Sequence, residues 1–195
     1  MTTQVIFIRH GESFDYKLDQ LKYPGPGLTR NGKKQARITG NYLKSFSFDK
    51  IYCSNMTRCI ETAEEIKKFQ KCNISYHREL AEYNQIIFEQ NPKDFDKLKT
   101  NIKRAKKTKE FFRNILIKNK NKRILIVSHG NAIRCMIGTS LGFSIRKTPD
   151  LDLFNCSIST LFFDKEKVVG LYSINSTDHY NLIKFTQKIN LNKLS

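Results

Sequence analysis

VIFIRHGES, residues 5–13, runs four apolar residues straight into an arginine, a histidine, a glycine and a glutamate. An unbroken apolar run this short fits a strand covered on both faces rather than one that alternates between core and water. The same pattern returns at residues 50–52 and in RILIV, residues 123–127. Helical periodicities lie between these runs. Thr29 can cap a helix reaching about residue 46, with Ala36, Gly40 and Leu43 on one side. Ser54 can cap a second helix, in which Ile60, Ala63 and Ile66 recur. After the Asn91–Pro92 turn signal, Phe95, Leu98, Ile102, Ala105, Phe112 and Leu116 trace one amphipathic helix, or two with a kink. Gly130 opens another with Ile133, Ile137 and Leu141. Residues 159–163 and 168–174 read as a closing hairpin. Strands alternating with helices predict an α/β fold with a mostly parallel sheet, and 195 residues suit a single domain over 1–195.

Composition narrows the function. With 39% hydrophobic and 27% charged residues the chain reads as globular. No apolar run approaches the roughly 20 residues of a membrane span, so no membrane segment is expected. The N-terminus lacks the basic and long apolar regions of a secretory signal. Five cysteines without a CxxC pair argue against a disulfide scaffold or a zinc cluster, and a reducing, cytoplasmic setting is expected. The net charge of +17 has two readings: a solvated basic surface, or a field that gathers anions.

Open parallel sheets bind ligands beyond the carboxyl ends of their strands. That rule predicts one crevice for three clusters: Arg9 and His10, residues 54–58, and Ser128–His129–Gly130. The glycines allow a close backbone approach to an anion, and a following helix start offers free N–H groups. Arg58 would sit near a helix N-terminus, against the macrodipole, which calls for a functional reason; its guanidinium fork suits phosphate. Glu82 follows the strand-like residues 74–76 and could donate a proton to a leaving group, but Glu79 is an equal candidate on spacing alone. The chain has neither a metal-ligand spacing nor a GxxxxGK[ST] loop, and no metal or cofactor is expected. Two arginines, two histidines and one carboxylate suggest metal-free phosphoryl transfer through a nucleophilic histidine.

These pieces resemble the histidine phosphatase superfamily, the phosphoglycerate-mutase-like family. IRHGES, GLTRNGKKQA, IYCSNMTRCIETAEEI, RELAEY and ILIVSHGNAIRCM are collinear, and LFNCSISTLFF is similar to its closing strand pair. The resemblance implies a three-layer α/β/α sandwich and a phosphatase working through phosphohistidine. His10 would be the nucleophile, Arg9, Arg58 and His129 would hold phosphoryl oxygens, and Glu82, in preference to Glu79, would be the acid/base. Ser13, Thr29 and Asn131 match positions that touch phosphate or substrate. The pattern looks closest to the branch with the mitochondrial-type serine/threonine protein phosphatase. It departs from many relatives after Glu82, where EYNQIIFEQN replaces their Gly and aromatic–Glu–Gly run, so a variable lid is expected around residues 83–110. The insertion with paired arginines found in glycolytic mutases is absent, which favours a phosphatase over a mutase. The expected partner is a phosphorylated small molecule or phosphoprotein. A basic phosphate- or RNA-binding module built on the basic residues 97–123 is the remaining alternative. Nucleic acid is not the expected partner, because Phe111 and Phe112 fit a buried face rather than a stacking platform.

Overall fold

The apolar run at residues 5–8 becomes the middle of a strand with essentially no exposed surface, in a computed structural model that describes residues 2–14 and 23–180. The rest of the domain expected over 1–195 lies outside these residues. In chain order the elements are β1 (Thr3–Arg9), α1 (Arg30–Tyr42), β2 (Lys50–Ser54), α2 (Thr57–Lys67), β3 (Ile74–His77), α3 (Phe95–Lys118), β4 (Arg123–Ser128), α4 (Gly130–Ser140), β5 (Ile158–Asp164) and β6 (Lys167–Ser176). They form one sheet of order β3-β2-β4-β1-β5-β6. β1, β2, β3 and β4 are parallel; β5 runs against both β1 and β6.

Period-two alternation divides β1 between two cores. Val5 and Phe7 join Ile124 and Ile126 under Phe112, Ile115 and Leu116 of α3 and Ile133, Met136 and Ile137 of α4. Ile6 and Ile8 join Leu125 and Val127 on the opposite face, under Cys59, Ala63 and Ile66 of α2. α1 packs on α2 through Gly40, where an added Cβ would lie 2.8 Å from the Phe69 ring and 3.0 Å from the Ile66 Cα. The expected three-layer sandwich is therefore the observed one. Two-sided coverage explains why the strands read as continuous apolar runs.

Local expectations are changed or sharpened. Ser54 does not cap α2. β2 continues through Cys53 and Ser54 because both pair with neighbouring strands, so the helix starts only at Thr57. α3 is one unbroken helix, capped by Asp94, whose side chain accepts from the Lys97 N–H at 2.8 Å. Phe95, expected on its buried stripe, is 65% exposed, and the buried stripe begins at Leu98. The irregular segment after Glu82 contains a 3-10 turn, Gln85–Phe88. Its Tyr83 and Ile87 are fully buried against Leu98, Ala105, Ala132 and Cys135. No helix among the described residues is long and apolar enough to cross a membrane.

Candidate active site

Register brings the carboxyl ends of the central strands level. Arg9 of β1 lies opposite Ser128 of β4, and Cys53 of β2 opposite Val127. The backbone just past β1 is then pinned from several sides. The His10 N–H donates to the Ser128 carbonyl at 2.9 Å, and the Cys156 N–H donates to the Arg9 carbonyl at 2.9 Å. Asn155 Nδ2 donates to the His10 carbonyl at 3.0 Å, and the Gly11 N–H donates to Thr62 Oγ1 at 3.0 Å. Gly11 is needed for contact with α1: a Cβ there would sit 2.6 Å from the Gly32 carbonyl oxygen.

Two one-way partners define the His10 ring. Nδ1 lies 2.8 Å from the Gly11 carbonyl, which can only accept, so Nδ1 carries the proton. Nε2 faces Arg58 Nε at 3.1 Å, and a guanidinium can only donate, so Nε2 presents its lone pair. Burial, then the charges of Arg9 and Arg58, hold the ring well below the usual histidine pKa. His10 is thus neutral at physiological pH, with an available lone pair facing the cations.

His129 is fully buried at the N-cap of α4, its ring edge-on to His10 with centroids 5.2 Å apart. Its Nε2 is 2.8 Å from Ser54 Oγ and 3.3 Å from Cys59 Sγ. Burial, reinforced by Arg58, His10, Arg9 and Arg104, pushes its pKa well down as well. Arg58 is 2% exposed in the first turn of α2, and burial opposes its charge while Glu82 supports it. Arg9 donates from one terminal nitrogen to the Leu153 carbonyl. Its Nε is buried with no hydrogen-bond partner among the described residues, beside Gly130, which opens α4. A buried donor without a partner next to a helix N-terminus is suited to an anion.

Glu82 closes the group. Its carboxylate accepts from the Tyr83 N–H at 3.1 Å. Burial raises its pKa, against the pull of that N–H, Arg9, Arg58 and the Asn131 N–H. Its backbone carbonyl accepts from Arg104 at 2.6 Å. Glu79, the other candidate, is exposed and lines a cleft with Arg78, Ala81, Arg104, Lys107 and Thr108.

Of the residues singled out in the sequence, Arg9, His10, Arg58, Glu82 and His129 come together. Asn131 is nearby but its side chain is engaged: Nδ2 donates to the Tyr83 carbonyl at 2.9 Å, and the Tyr83 hydroxyl donates back to the Asn131 carbonyl at 3.2 Å. Thr29 caps α1, accepting from the Gly32 N–H at 3.0 Å and donating to Glu12 Oε1 at 2.5 Å. Ser13 pairs with Leu28 in an isolated antiparallel bridge, and no hydrogen bond among the described residues ties it to the histidines. Ser54, which belongs to the cluster expected at residues 54–58, supports the site, and so do Cys59, Thr62, Asn155 and Arg104, which were not singled out for it. The partners of these four are distant in sequence, and of the four only Arg104 had drawn attention, as part of a basic run.

A family model described as histidine phosphatase superfamily (branch 1) matches residues 5–175. An uncharacterized phosphatase, PhoE, of Bacillus subtilis is 31% identical over 188 residues, covering 89% of this chain and 96% of that protein. A probable phosphoglycerate mutase, GpmB, of Photorhabdus laumondii is 29% identical over 184 residues, covering 80% of this chain and 83% of that protein. Among solved structures, phosphoserine phosphatase from Entamoeba histolytica in complex with 3-phosphoglyceric acid superposes with a TM-score of 0.75 at 26% identity, covering 91% of this chain and 98% of that one.

Proposed function

The chain belongs to the histidine phosphatase superfamily, and we propose that it hydrolyses phosphate monoesters through a phosphohistidine formed on His10. One observation carries the reading: His10 is buried, neutral and held in the tautomer that leaves its Nε2 lone pair available. In the first step Nε2 attacks phosphorus. The P–N bond forms as the P–O bond to the leaving group breaks, and protonated Glu82 gives its proton to the departing oxygen. In the second step Glu82, now a carboxylate, takes a proton from water as that water attacks phosphorus. The P–N bond breaks and its electron pair returns to Nε2. Arg9, Arg58, His129 and the N–H groups opening α4 face the charge on the phosphoryl oxygens, in the role metal ions play in other phosphoryl-transfer enzymes.

The test is turnover of p-nitrophenyl phosphate in the presence of EDTA, with alkaline denaturing quench of a reaction on a 32P-labelled phosphate ester to preserve the acid-labile, base-stable phosphoenzyme. The wild-type protein should turn over and label, and His10→Ala should do neither. Full activity in His10→Ala would overturn the scheme. Likeness to a probable mutase supports a second reading, in which the phosphoryl group returns to the product rather than to water. Following phosphate release and phosphoglycerate isomerisation in parallel separates the two.

A further inference from the structure

We propose that the cleft lined by Arg78, Glu79, Ala81, Arg104, Lys107 and Thr108 is a second anion subsite, selecting phosphate monoesters whose leaving group carries its own oxyanion, a carboxylate or a second phosphate. The proposal rests on the phosphatase reading and extends it to the substrate class.

Position is the first argument. In an in-line displacement the leaving group departs on the side away from the nucleophile, next to the acid that protonates it. That acid is Glu82, and the residue before it, Ala81, lines the cleft. Arg104 belongs to both places, since it lines the cleft and donates to the Glu82 carbonyl at 2.6 Å. The Arg104 charge also acts on Glu82 and on His129, so through Arg104 the cleft borders the catalytic group on the side of its acid.

Charge is the second argument. Three cations face a single carboxylate, Glu79, and none of the three is in an ion pair among the described residues. Arg104 and Lys107 lie three positions apart on one face of α3. Burial works against the Arg104 charge, so an anion placed there would be stabilising. Arginine forks match the planar carboxylate and the phosphate oxygens alike.

Rigidity is the third. The backbone of residues 79–82 is tied to α3 twice, by Thr108 Oγ1 donating to the Glu79 carbonyl at 2.7 Å and by Arg104 at Glu82. The cations are thus carried by a helix and by a segment fastened to it. The volume, about 290 Å³, suits the tail of a small molecule more than a folded protein segment.

The experiment compares phenyl phosphate, 3-carboxyphenyl phosphate and 1,3-phenylene bisphosphate. The wild-type protein should favour one or both charged substrates by about tenfold or more in kcat/KM, the size of one charge-assisted hydrogen bond; which of the two leads identifies the oxyanion. The double variant Arg78→Gln/Lys107→Gln should bring the ratio close to one, Arg78→Lys/Lys107→Arg should keep it, and Glu79→Gln should raise it. Lys118→Gln/Lys120→Gln removes the same charge at the far end of α3 and should leave the ratio intact, separating a site from the general positive field. Equal kcat/KM for all three substrates, or a preference that survives in the double Gln variant, would overturn the subsite. If no substrate turns over, the phosphatase reading fails and the subsite is judged by calorimetry on His10→Ala. Tighter binding of a charged probe than of phenyl phosphate, lost in the double Gln variant, upholds it, and equal binding refutes it.

Discussion

At the scale of single residues, chemistry is assigned by which partner can only give and which can only take. His10 shows this most clearly, and Glu82 shows its energetic counterpart. Burial lifts the Glu82 pKa above the usual carboxylate range, while two backbone N–H groups and two arginines pull it back. In the proposed scheme Glu82 must hold a proton when the P–O bond breaks, and His10 must be without one at Nε2. For an alkyl phosphate, kcat/KM should therefore fall on the alkaline side as Glu82 ionises, and on the acid side as His10 gains a proton below the usual histidine range. Glu82→Gln should remove the alkaline limb and cost about 10²-fold or more in kcat/KM on the alkyl substrate. On p-nitrophenyl phosphate, whose phenolate departs without a proton, the loss should be roughly tenfold or less. Equal losses on both substrates would mean that Glu82 is not the acid.

At the scale of elements, the site depends on how closely α1 meets the loop that follows β1. Gly32 lies in the first turn of α1, and a Cβ there would fall 1.9 Å from the Glu12 carbonyl oxygen. Alanine favours a helix over glycine by about 1 kcal/mol, but this backbone contact cannot yield by a side-chain rotation. Overpacking of this kind typically costs about 1–3 kcal/mol, so clash and propensity nearly cancel if α1 moves freely. It does not move freely. Thr29 and Asn31 both bond the Glu12 carboxylate, and the Glu12 N–H bonds Gln35 Oε1 at 2.8 Å. Gly32→Ala should therefore be destabilising, by about 2 kcal/mol in urea unfolding, and should lower activity, because the displaced loop begins next to His10. An unchanged unfolding midpoint would show that helix and loop are less tightly coupled than this geometry requires.

Across the whole molecule, the buried histidines make stability depend on pH. His10, His129 and His179 are each 5% exposed or less, and burial lowers the pKa of all three, that of His179 to about 4. Unfolded histidines titrate near 6.5. Between the two values the unfolded chain binds more protons, so stability rises with pH in that window. The histidine contribution is fully present above about pH 6.5. It is lost as pH falls through the folded values, with up to three protons taken up on unfolding. Glu82 acts in the opposite sense, since its raised pKa favours the folded state at low pH. The urea midpoint should thus drop steadily from pH 7 to pH 5, whereas a flat profile would contradict neutral burial of the histidines. The same scale explains α3. Its exposed side is rich in lysine, but Phe112 is buried and Phe111 packs against the same core, so neither offers a base a stacking surface.

The layered α/β architecture was legible in the sequence because burial on both faces leaves a local record: short apolar runs at residues 5–8 and 123–127, separated by helical periodicity. The grouping of Arg9, Arg58 and His129 around His10 followed from the rule that parallel strands gather their carboxyl ends. Resemblance, rather than spacing, chose Glu82 over Glu79. Tertiary structure alone decided which atoms meet. Ser54 was expected at the crevice as a helix cap, but its hydroxyl instead meets His129, 75 residues away, and Asn155 reaches the His10 carbonyl from 145 residues away. Arg104 looked like one more cation in a basic run until it was found fastened to Glu82 at the edge of a cleft. The physical reason is the range of each signal. Periodicity and capping act over a few residues, so a sequence displays them, whereas a hydrogen bond between distant strands exists only after the sheet has set their register.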